Sequence, residues 1–318
     1  MSATMATIAI PIPSHSTRAV GRFAWGVFGF MVLVVLWGAV VRATSSGGGC
    51  GSNWPLCNGD FFPHHPRLAT IIEFTHRSMS GVCTFLVIAL AAWTFYATER
   101  GHRARRAVLW SFGLLLMEAL LGAVLVLRHY VENNISLGRV IMQGLHFTNT
   151  LLLLGALALT AWFLRPRRNQ ESVPKGARGL ALLAVAATIV MGATGALAAL
   201  ADTLFPSPSL QAGLAADFAA SAPLLVRMRW IHPAATLIGF VCVVLLAQRL
   251  RSRLSFVVLA LLLMQAALGV ADIVLLAPTW MQVVHLLGAD IYWAALVGLA
   301  ADVLWPSNAL KTESAHVA

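Results

Sequence analysis

The chain has 318 residues, of which 59% are hydrophobic and only 11% carry a charge, and its mean hydropathy is +0.80. A soluble domain is roughly 45–50% apolar and about 25% charged, so this composition indicates an integral membrane protein and excludes an ordinary soluble one. The formal net charge of +10 does not predict nucleic-acid binding, because the basic residues lie in short clusters between apolar runs. We therefore expect a lipid bilayer, and no nucleic acid, as the partner.

Eight apolar runs are long enough to cross a bilayer, because a membrane-spanning helix needs about 20 residues. We number them span 1 to span 8: Phe23–Val41, Leu68–Tyr96, Ala107–Leu127, Val140–Leu164, Gly179–Leu200, Trp230–Leu246, Phe256–Ala277 and Trp280–Leu304. Span 1 exceeds the roughly 7–15 apolar residues of a signal peptide, so it is predicted to be retained. The pattern predicts an all-α integral membrane protein with eight transmembrane helices.

Lysine and arginine concentrate in alternate connections, and this bias predicts the topology. The basic connections are 99–106, 165–178 and 248–253. The connections poorer in these residues are 42–67, 128–139 and 201–229. Both termini and the basic connections are therefore predicted to be cytoplasmic, and the even-numbered spans to enter from outside. Because few basic residues precede span 1, an organellar transit peptide is disfavoured, and the cytoplasmic (cell) membrane of a bacterium is the expected location.

The second half of the sequence resembles the first. The matched segments are 114–127 with 261–275, 143–157 with 282–296 and, more faintly, 37–44 with 191–198. Three matches in the same order predict two pseudo-symmetric four-helix bundles in the same orientation, related by an axis along the membrane normal.

The expected domains follow from this repeat. They are an N-terminal cytoplasmic tail (1–22), a first bundle (23–164), a cytoplasmic linker (165–178), a second bundle (179–305) and a C-terminal cytoplasmic tail (306–318). We call residues 23–164 the first half and residues 179–305 the second half.

Four of the ten histidines lie inside the spans, one in each even-numbered span. They are His76, His146, His232 and His285, all predicted to lie toward the outer leaflet. A lone intramembrane histidine usually packs and hydrogen-bonds, but two on facing helices of a four-helix bundle can hold one haem. Structural zinc sites need four ligands, and each half offers only two. We therefore expect two haem positions, one in each half.

Several arginines are predicted near the outer boundary, at about the level of these histidines. They are Arg42, Arg77, Arg128, Arg139, Arg227 and Arg229. Bidentate pairing of guanidinium with carboxylate would suit the propionates of a haem. Anchoring at the membrane interface explains each of them equally well.

Two cysteines, Cys50 and Cys57, lie in an outward-facing connection with the sequence GGGCGSNWPLCNG. An oxidising compartment would permit a disulfide there. Cys83 and Cys242 lie within spans, where we expect them to be small buried apolar side chains.

Glu73 distinguishes the two halves. It precedes His76 by three residues in the stretch IIEFTHRSMSGV, so the two side chains share a helix face. The sequence before His232 reads VRMRWIHP and contains no carboxylate. A buried carboxyl group beside only one haem position is a candidate proton acceptor. The alternative is a structural ion pair with Arg77 or Arg42.

Glu118 in span 3 is a second difference, because Gln265 occupies the matching position in span 7. We expect a packing or hydrogen-bonding role for it.

The segment SSGGGCGSNWPLCNG followed by IEFTHR resembles the haem A synthase family, whose hallmark is a cysteine-containing loop with Trp-Pro, followed by E-x-x-H-R. The segment before span 6, the eight spans, the repeated halves and the four histidines are also similar to that family. The resemblance covers nearly the whole chain apart from the first 20 and the last dozen residues. Some members have a second cysteine pair before span 6, which this chain lacks, so no redox role is expected there.

The resemblance implies oxidation of a methyl group of haem O to a formyl group, which gives the haem A of terminal oxidases. It implies haem b as the cofactor of the second half and haem O as the substrate of the first half. Haem O synthase and cytochrome oxidase assembly factors are the implied partners. The implied residues are His232 and His285 as haem b ligands, His76 and His146 as haem O ligands, Glu73 as the essential acid, and Cys50 with Cys57 as a disulfide.

Two other functions remain open from the sequence. A non-catalytic di-haem cytochrome b would hold two permanent bis-histidine haems and make no haem A. A haem carrier would bind haem exchangeably and leave its structure unchanged.

Overall fold

The computed structural model describes residues 14–166 and 173–306. Its helices are α1 (Ser14–Ala43), α2 (Leu68–Ala97), α3 (Arg103–Leu127), α4 (Leu137–Leu164), α5 (Ala177–Leu204), α6 (Leu210–Phe218), α7 (Leu224–Arg227), α8 (Ile231–Leu250), α9 (Arg253–Val274) and α10 (Thr279–Leu304). Parts of the predicted tails, 1–13 and 307–318, and residues 167–172 of the predicted linker lie outside the described residues.

The prediction of an all-α protein with eight spans is confirmed for the described residues. Eight helical segments there are long and apolar enough to cross a membrane: α1 to α5, α7 joined to α8, α9 and α10. The helices extend several residues beyond the apolar runs, because arginines such as Arg18 and Arg22 can continue a helix past the hydrocarbon region.

The predicted span 6, Trp230–Leu246, corresponds to α8, and the structure adds the short helix α7 before it. Pro233 stands at the third position of α8, and a proline is tolerated only in the first turn of a helix because it has no N–H to donate. A new helix must therefore begin just before it. The short helix α6, in the connection before span 6, was also not predicted.

Serine side chains mark the beginning of three helices. Ser136 accepts a hydrogen bond from the Arg139 amide at the start of α4, and Ser209 accepts one from the Ala212 amide at the start of α6. Ser252 and Ser255 form a reciprocal capping box at the start of α9. Each hydroxyl satisfies an amide that has no partner within its helix.

The helices pack mainly within each half. In the first half α1 packs on α2 and α4, and α3 packs on α2 and α4. In the second half α5 packs on α8 and α10, and α9 packs on α8 and α10. Contacts of α1 and α4 with α5 and α10 join the halves, and α4 and α10 are the most deeply buried spans of the described chain. The division into two bundles stays a prediction that these contacts favour.

Two tryptophans fix the packing of α4 on α10. The Trp293 indole N–H donates to the Leu151 carbonyl at 2.8 Å, and the ring lies against Gly155. In the opposite direction, Trp162 of α4 covers Gly298 of α10, where an added Cβ would lie 2.8 Å from the ring. This interface has no room for another methyl group at Gly298.

We therefore expect Gly298→Ala to lower the free energy of unfolding by about 1–3 kcal/mol, the usual cost of overpacking. Thermal unfolding in detergent micelles would measure the loss. Gly113→Ala in α3 is the matched control, because nothing lies within 4 Å of a Cβ there. Equal unfolding temperatures for the two variants would contradict the packing described for Trp162.

Candidate functional site

Each of the four intramembrane histidines packs against a glycine of the preceding odd-numbered span. The pairs are His76 with Gly38, His146 with Gly122, His232 with Gly195 and His285 with Gly269. A Cβ added to these glycines would lie 3.0, 3.8, 2.9 and 3.2 Å, respectively, from Cε1 of the imidazole. The same arrangement of a histidine ring on a helix backbone therefore occurs twice in each half.

These contacts change the register of one sequence match. The faint similarity of 37–44 to 191–198 aligns Gly38 with Gly192, whereas the structure uses Gly195 in the role of Gly38. Gly192 instead packs against Leu151 and Phe147 of α4. The sequence did not single out Gly38, and only its place one turn before Arg42 on the same helix could have indicated it.

His232 and His285 face one another in the second half. Their ring centroids are 6.4 Å apart and their planes are inclined by 83°. An iron held at about 2 Å from a nitrogen of each ring needs centroids roughly 6 Å apart. The pair therefore has the separation that a bis-histidine haem requires. In the first half, His76 and His146 are electrostatic neighbours.

The ring nitrogens are available for iron ligation. Within the described chain, no hydrogen bond ends on Nε2 of His146, His232 or His285, and the backbone of Val34 lies beside the His76 ring. Nδ1 of His232 lies 3.0 Å from the Met191 carbonyl oxygen, while Nδ1 of His76, His146 and His285 is buried without a hydrogen-bond partner. Free Nε2 atoms on paired rings that lie on glycine surfaces fit the donor set of a haem.

Glu73 is almost fully buried, and both of its carboxylate oxygens have partners. Oε1 accepts from Nη2 of Arg77 at 2.5 Å, and Oε2 accepts from the amide of Cys50 at 2.7 Å. The ion pair considered in the sequence analysis is therefore present with Arg77 and not with Arg42. Its presence does not exclude proton transfer, because Oε2 is held by a single neutral donor.

The loop 44–67, which we call the disulfide loop, lies directly over Glu73. Cys50 and Cys57 form the disulfide that the family resemblance implied, so that expectation is confirmed. Arg77 ties the loop to α2 by donating to the carbonyls of Asn53 and Leu56 at 2.6 and 2.7 Å. Through these contacts the loop conformation and the Glu73 carboxylate depend on one another.

Arg42 reaches from the first half into the second. Its guanidinium donates to the Ala199 carbonyl at 2.7 Å, to the Thr203 hydroxyl at 2.6 Å and to Oε1 of Gln282 at 2.7 Å. Gln282 precedes His285 by three residues, and Gly38, one turn before Arg42, packs against His76. One turn of α1 thus contacts His76 in the first half and, through Arg42, a residue of α10 that lies three positions before His285.

The other arginines expected near haem propionates have different surroundings. Arg229 pairs with Asp202 at 2.8 Å and with Asp217 at 2.7 Å. Arg139 is buried and donates to the carbonyls of Glu132 and Asn134, while its Nε has no partner. Arg128 and Arg227 are exposed, which suits interface anchoring better. Pairing with propionates stays a prediction for Arg42, Arg77, Arg139 and Arg229.

Glu118 has the hydrogen-bonding role that the sequence predicted. Its Oε2 accepts from the side-chain amide of Asn149 at 2.6 Å, and its Oε1 accepts from the hydroxyl of Thr150. Oε1 also lies 3.2 Å from Nδ1 of His146. The carboxylate therefore stands beside an imidazole, a contact that sequence spacing alone could not predict.

The second half contains more carboxylates than the residues before His232 indicated. Asp202 and Asp272 are electrostatic neighbours of Arg42. Oδ1 of Asp272 and Oδ2 of Asp290 are buried without hydrogen-bond partners. The contrast between the halves therefore concerns the position of the acid relative to the histidines, and not the presence of acids in one half only.

Eight apolar spans with two histidine pairs define a multi-pass helical membrane protein with a candidate haem-binding site in each half. The chain belongs to the COX15-CtaA family of cytochrome oxidase assembly proteins, which matches residues 21–297.

Curated proteins with two different names are similar to this chain. A protein of Thermus thermophilus named Protoheme IX farnesyltransferase is 40% identical over 291 residues, which are 89% of this chain and 48% of that protein. Heme A synthase of Exiguobacterium sibiricum is 32% identical over 169 residues, 52% of this chain and 54% of that enzyme. Heme A synthase of Bacillus licheniformis is 44% identical over 96 residues, 30% of this chain and 32% of that enzyme. The chain spans about half the length, or less, of these relatives.

Proposed function

We propose that this protein is a haem A synthase, which oxidises a methyl group of haem O to a formyl group for use in terminal oxidases. The observation that carries the proposal is the repeated packing of four imidazoles on glycines, with one pair at the separation of a bis-histidine haem. Family membership and the relatives named Heme A synthase support it.

In this proposal the halves have different tasks. The first bundle, 23–164, takes haem O between His76 and His146, and the second, 179–305, holds haem b between His232 and His285. The preference of the helices for partners within their own half supports this division. Haem b would supply one-electron transfer when bound. The Met191 carbonyl, 3.0 Å from Nδ1 of His232, would fix the orientation of that ring.

Glu73 is the proposed proton acceptor in the first half. In the proposed sequence the methyl group becomes an alcohol and then a gem-diol, each step adding the oxygen of one water and releasing two electrons and two protons, and the gem-diol loses water to give the aldehyde. The electrons would pass through haem b to an external acceptor. Glu73 lies three residues before His76 on the same helix, and its Oε2 is held only by the Cys50 amide. A carboxylate at this position can accept a proton and pass it toward the disulfide loop.

The proposed location is the cell membrane, with both termini in the cytoplasm. The Cys50–Cys57 disulfide supports this orientation, because disulfides persist in oxidising compartments and the loop 44–67 would then face outward. The basic connections would face the cytoplasm, in agreement with the positive-inside rule.

A second candidate function is farnesyl transfer to protohaem IX, because the Thermus thermophilus relative is named for it. About half of that relative lies outside the match, and the matched chain also resembles proteins named Heme A synthase. We therefore assign farnesyl transfer to the unmatched part of that relative. A haem O synthase is then the proposed partner of the present protein.

Haem extracted from membranes that contain this protein and a haem O source would test the proposal. Chromatography and mass determination should detect haem A, and its level should fall to background in His76→Ala. His129→Ala is the control and should keep the wild-type yield, because His129 lies in the connection between α3 and α4.

Each rival function predicts another product in the same assay. Unchanged haem O would indicate a carrier, and two stable protohaems without haem A would indicate an electron carrier. Farnesylated haem formed from protohaem without the haem O source would favour the second candidate.

A further inference from the structure

Glu118 is aimed at a candidate iron ligand. It lies one turn before Gly122, the glycine on which the His146 ring packs, and its Oε1 is 3.2 Å from Nδ1 of that ring. Asn149 donates to Oε2 at 2.6 Å, and Thr150 donates to Oε1. Two donors from α4 therefore hold the carboxylate against the imidazole.

The second half lacks this arrangement. Gln265 donates from its side-chain amide to the backbone carbonyl of His285 at 2.8 Å, and both Oε1 of Gln265 and Nδ1 of His285 are buried without a partner. A side chain at Gly288 would overlap the Gln265 amide. Three positions differ together along the repeat: Gln265 in place of Glu118, Gly288 in place of Asn149 and Ala289 in place of Thr150. The carboxylate and both of its donors are thus found in the first half only.

The surroundings of the other ligand candidates reinforce the contrast. His232 has the neutral Met191 carbonyl oxygen near Nδ1, and the neutral backbone of Val34 is the hydrogen-bonding neighbour of the His76 ring. Nδ1 of His146 lies within hydrogen-bonding distance of Oε1 of Glu118, but the angle between them does not allow a hydrogen bond. A small rotation of the ring about χ2, which is a broad torsion in histidine, would bring the Nδ1–H bond into line with Oε1, which lies 3.2 Å from Nδ1.

A carboxylate next to Nδ1 changes the chemistry of an iron-bound imidazole. A histidine that binds iron through Nε2 carries its proton on Nδ1, and a carboxylate that accepts this hydrogen bond makes the imidazole a stronger donor to the metal. A stronger donor stabilises ferric over ferrous iron, because the oxidised metal gains more from added electron density. A neutral partner, or none, leaves the iron easier to reduce.

We propose that Glu118 is a positioning residue that gives His146 anionic character, so that the haem of the first half has a lower reduction potential than that of the second half. This inference rests on the proposed function for the assignment of haem O to the first half. The reduction potential would then differ between the haem whose methyl group is oxidised and the haem that passes electrons.

Redox titration of the full-length protein, purified from cells that supply haem O, tests this inference. In Glu118→Gln one of the two haem transitions should move to higher potential by at least a tenfold change in the reduction equilibrium, which is about 59 mV for one electron. The electron paramagnetic resonance signal of the same ferric haem should change. The other haem transition should keep its wild-type potential.

Two further variants make the test specific. Gln265→Ala removes the matching side chain of the second half. It should not change the reduction potential of the haem that responds to Glu118→Gln. Glu118→Asp keeps the charge but shortens its reach, so its potential should lie between those of the wild type and Glu118→Gln. If Glu118→Gln does not fold, a wild-type potential in Glu118→Asp would overturn the inference.

The outcomes separate this inference from the proposed function. Unchanged potentials and spectra in Glu118→Gln, with normal haem A formation, would overturn the inference alone. A shifted potential in a protein that never makes haem A would overturn the proposed function and support the inference. A wild-type protein that binds no haem would overturn both.

Discussion

Glu73→Gln is expected to abolish haem A formation while haem b stays bound. Glutamine retains an oxygen that can accept from the Cys50 amide, but it cannot take up a proton and it loses the ion pair with Arg77. Removal of a general base typically costs about 10²–10⁴-fold in rate. Haem extracts of membranes with this variant should contain haem O or its hydroxylated form in place of haem A.

A purely structural role of Glu73 makes a different prediction. Because Glu73 also supports the disulfide loop through Cys50 and Arg77, loosening the loop alone should then have the same effect. A double substitution, Cys50→Ser with Cys57→Ser, removes the covalent link and retains the carboxylate. Equal loss of haem A in both proteins would assign Glu73 to loop support, and normal haem A in Glu73→Gln would remove it from the mechanism.

Gly195→Ala is expected to deprive the second half of its haem. The added Cβ would lie 2.9 Å from Cε1 and 3.1 Å from Nδ1 of His232, so the ring must shift from its position opposite His285. Changes around metal-binding histidines typically weaken metal affinity by about 10–100-fold. Haem absorbance per protein, measured during titration with protohaem, should show a loss of this size.

Gly122→Ala is the matched comparison for that experiment. Its Cβ would lie 3.8 Å from Cε1 of His146, which is an ordinary van der Waals contact, so the affinity of the first half for haem O, measured by titration with haem O, should be retained. Both changes place alanine in the middle of a transmembrane helix and remove similar backbone freedom. Equal haem affinity in the two variants would show that the close packing on His232 has no role in ligand placement.

Much of the fold could be predicted because membrane spans are properties of single segments. Each span can be recognised from its own run of apolar residues, regardless of the helices against which it packs. The short helices α6 and α7 were not predicted, because both lie in the connection before span 6, which contains no apolar run long enough to cross a bilayer. The four histidines were recognisable because ionisable residues are costly in a bilayer.

The surroundings of the site were much less predictable. Arg42 was considered a partner of Glu73, but its hydrogen bonds reach Gln282, which lies 240 positions away in the chain. The contact of Glu118 with His146 depends on how α3 and α4 are rotated about their axes, and the repeat indicated only that Glu118 differs from Gln265. Gly38 could not be distinguished by sequence from other small residues of a packed helix, and only the structure shows that the His76 ring packs against it.

The sequence by itself determined the membrane spans, the repeated segments and the candidate haem-binding histidines, because hydropathy, spacing and side-chain chemistry belong to each segment alone. Only the tertiary structure decided which glycine supports each histidine and which donors hold Glu73 and Glu118. It also showed that Arg42 of the first half donates hydrogen bonds to residues of the second half. Those contacts join helices far apart in the chain, and their distances follow from helix rotation and packing, which no local pattern records.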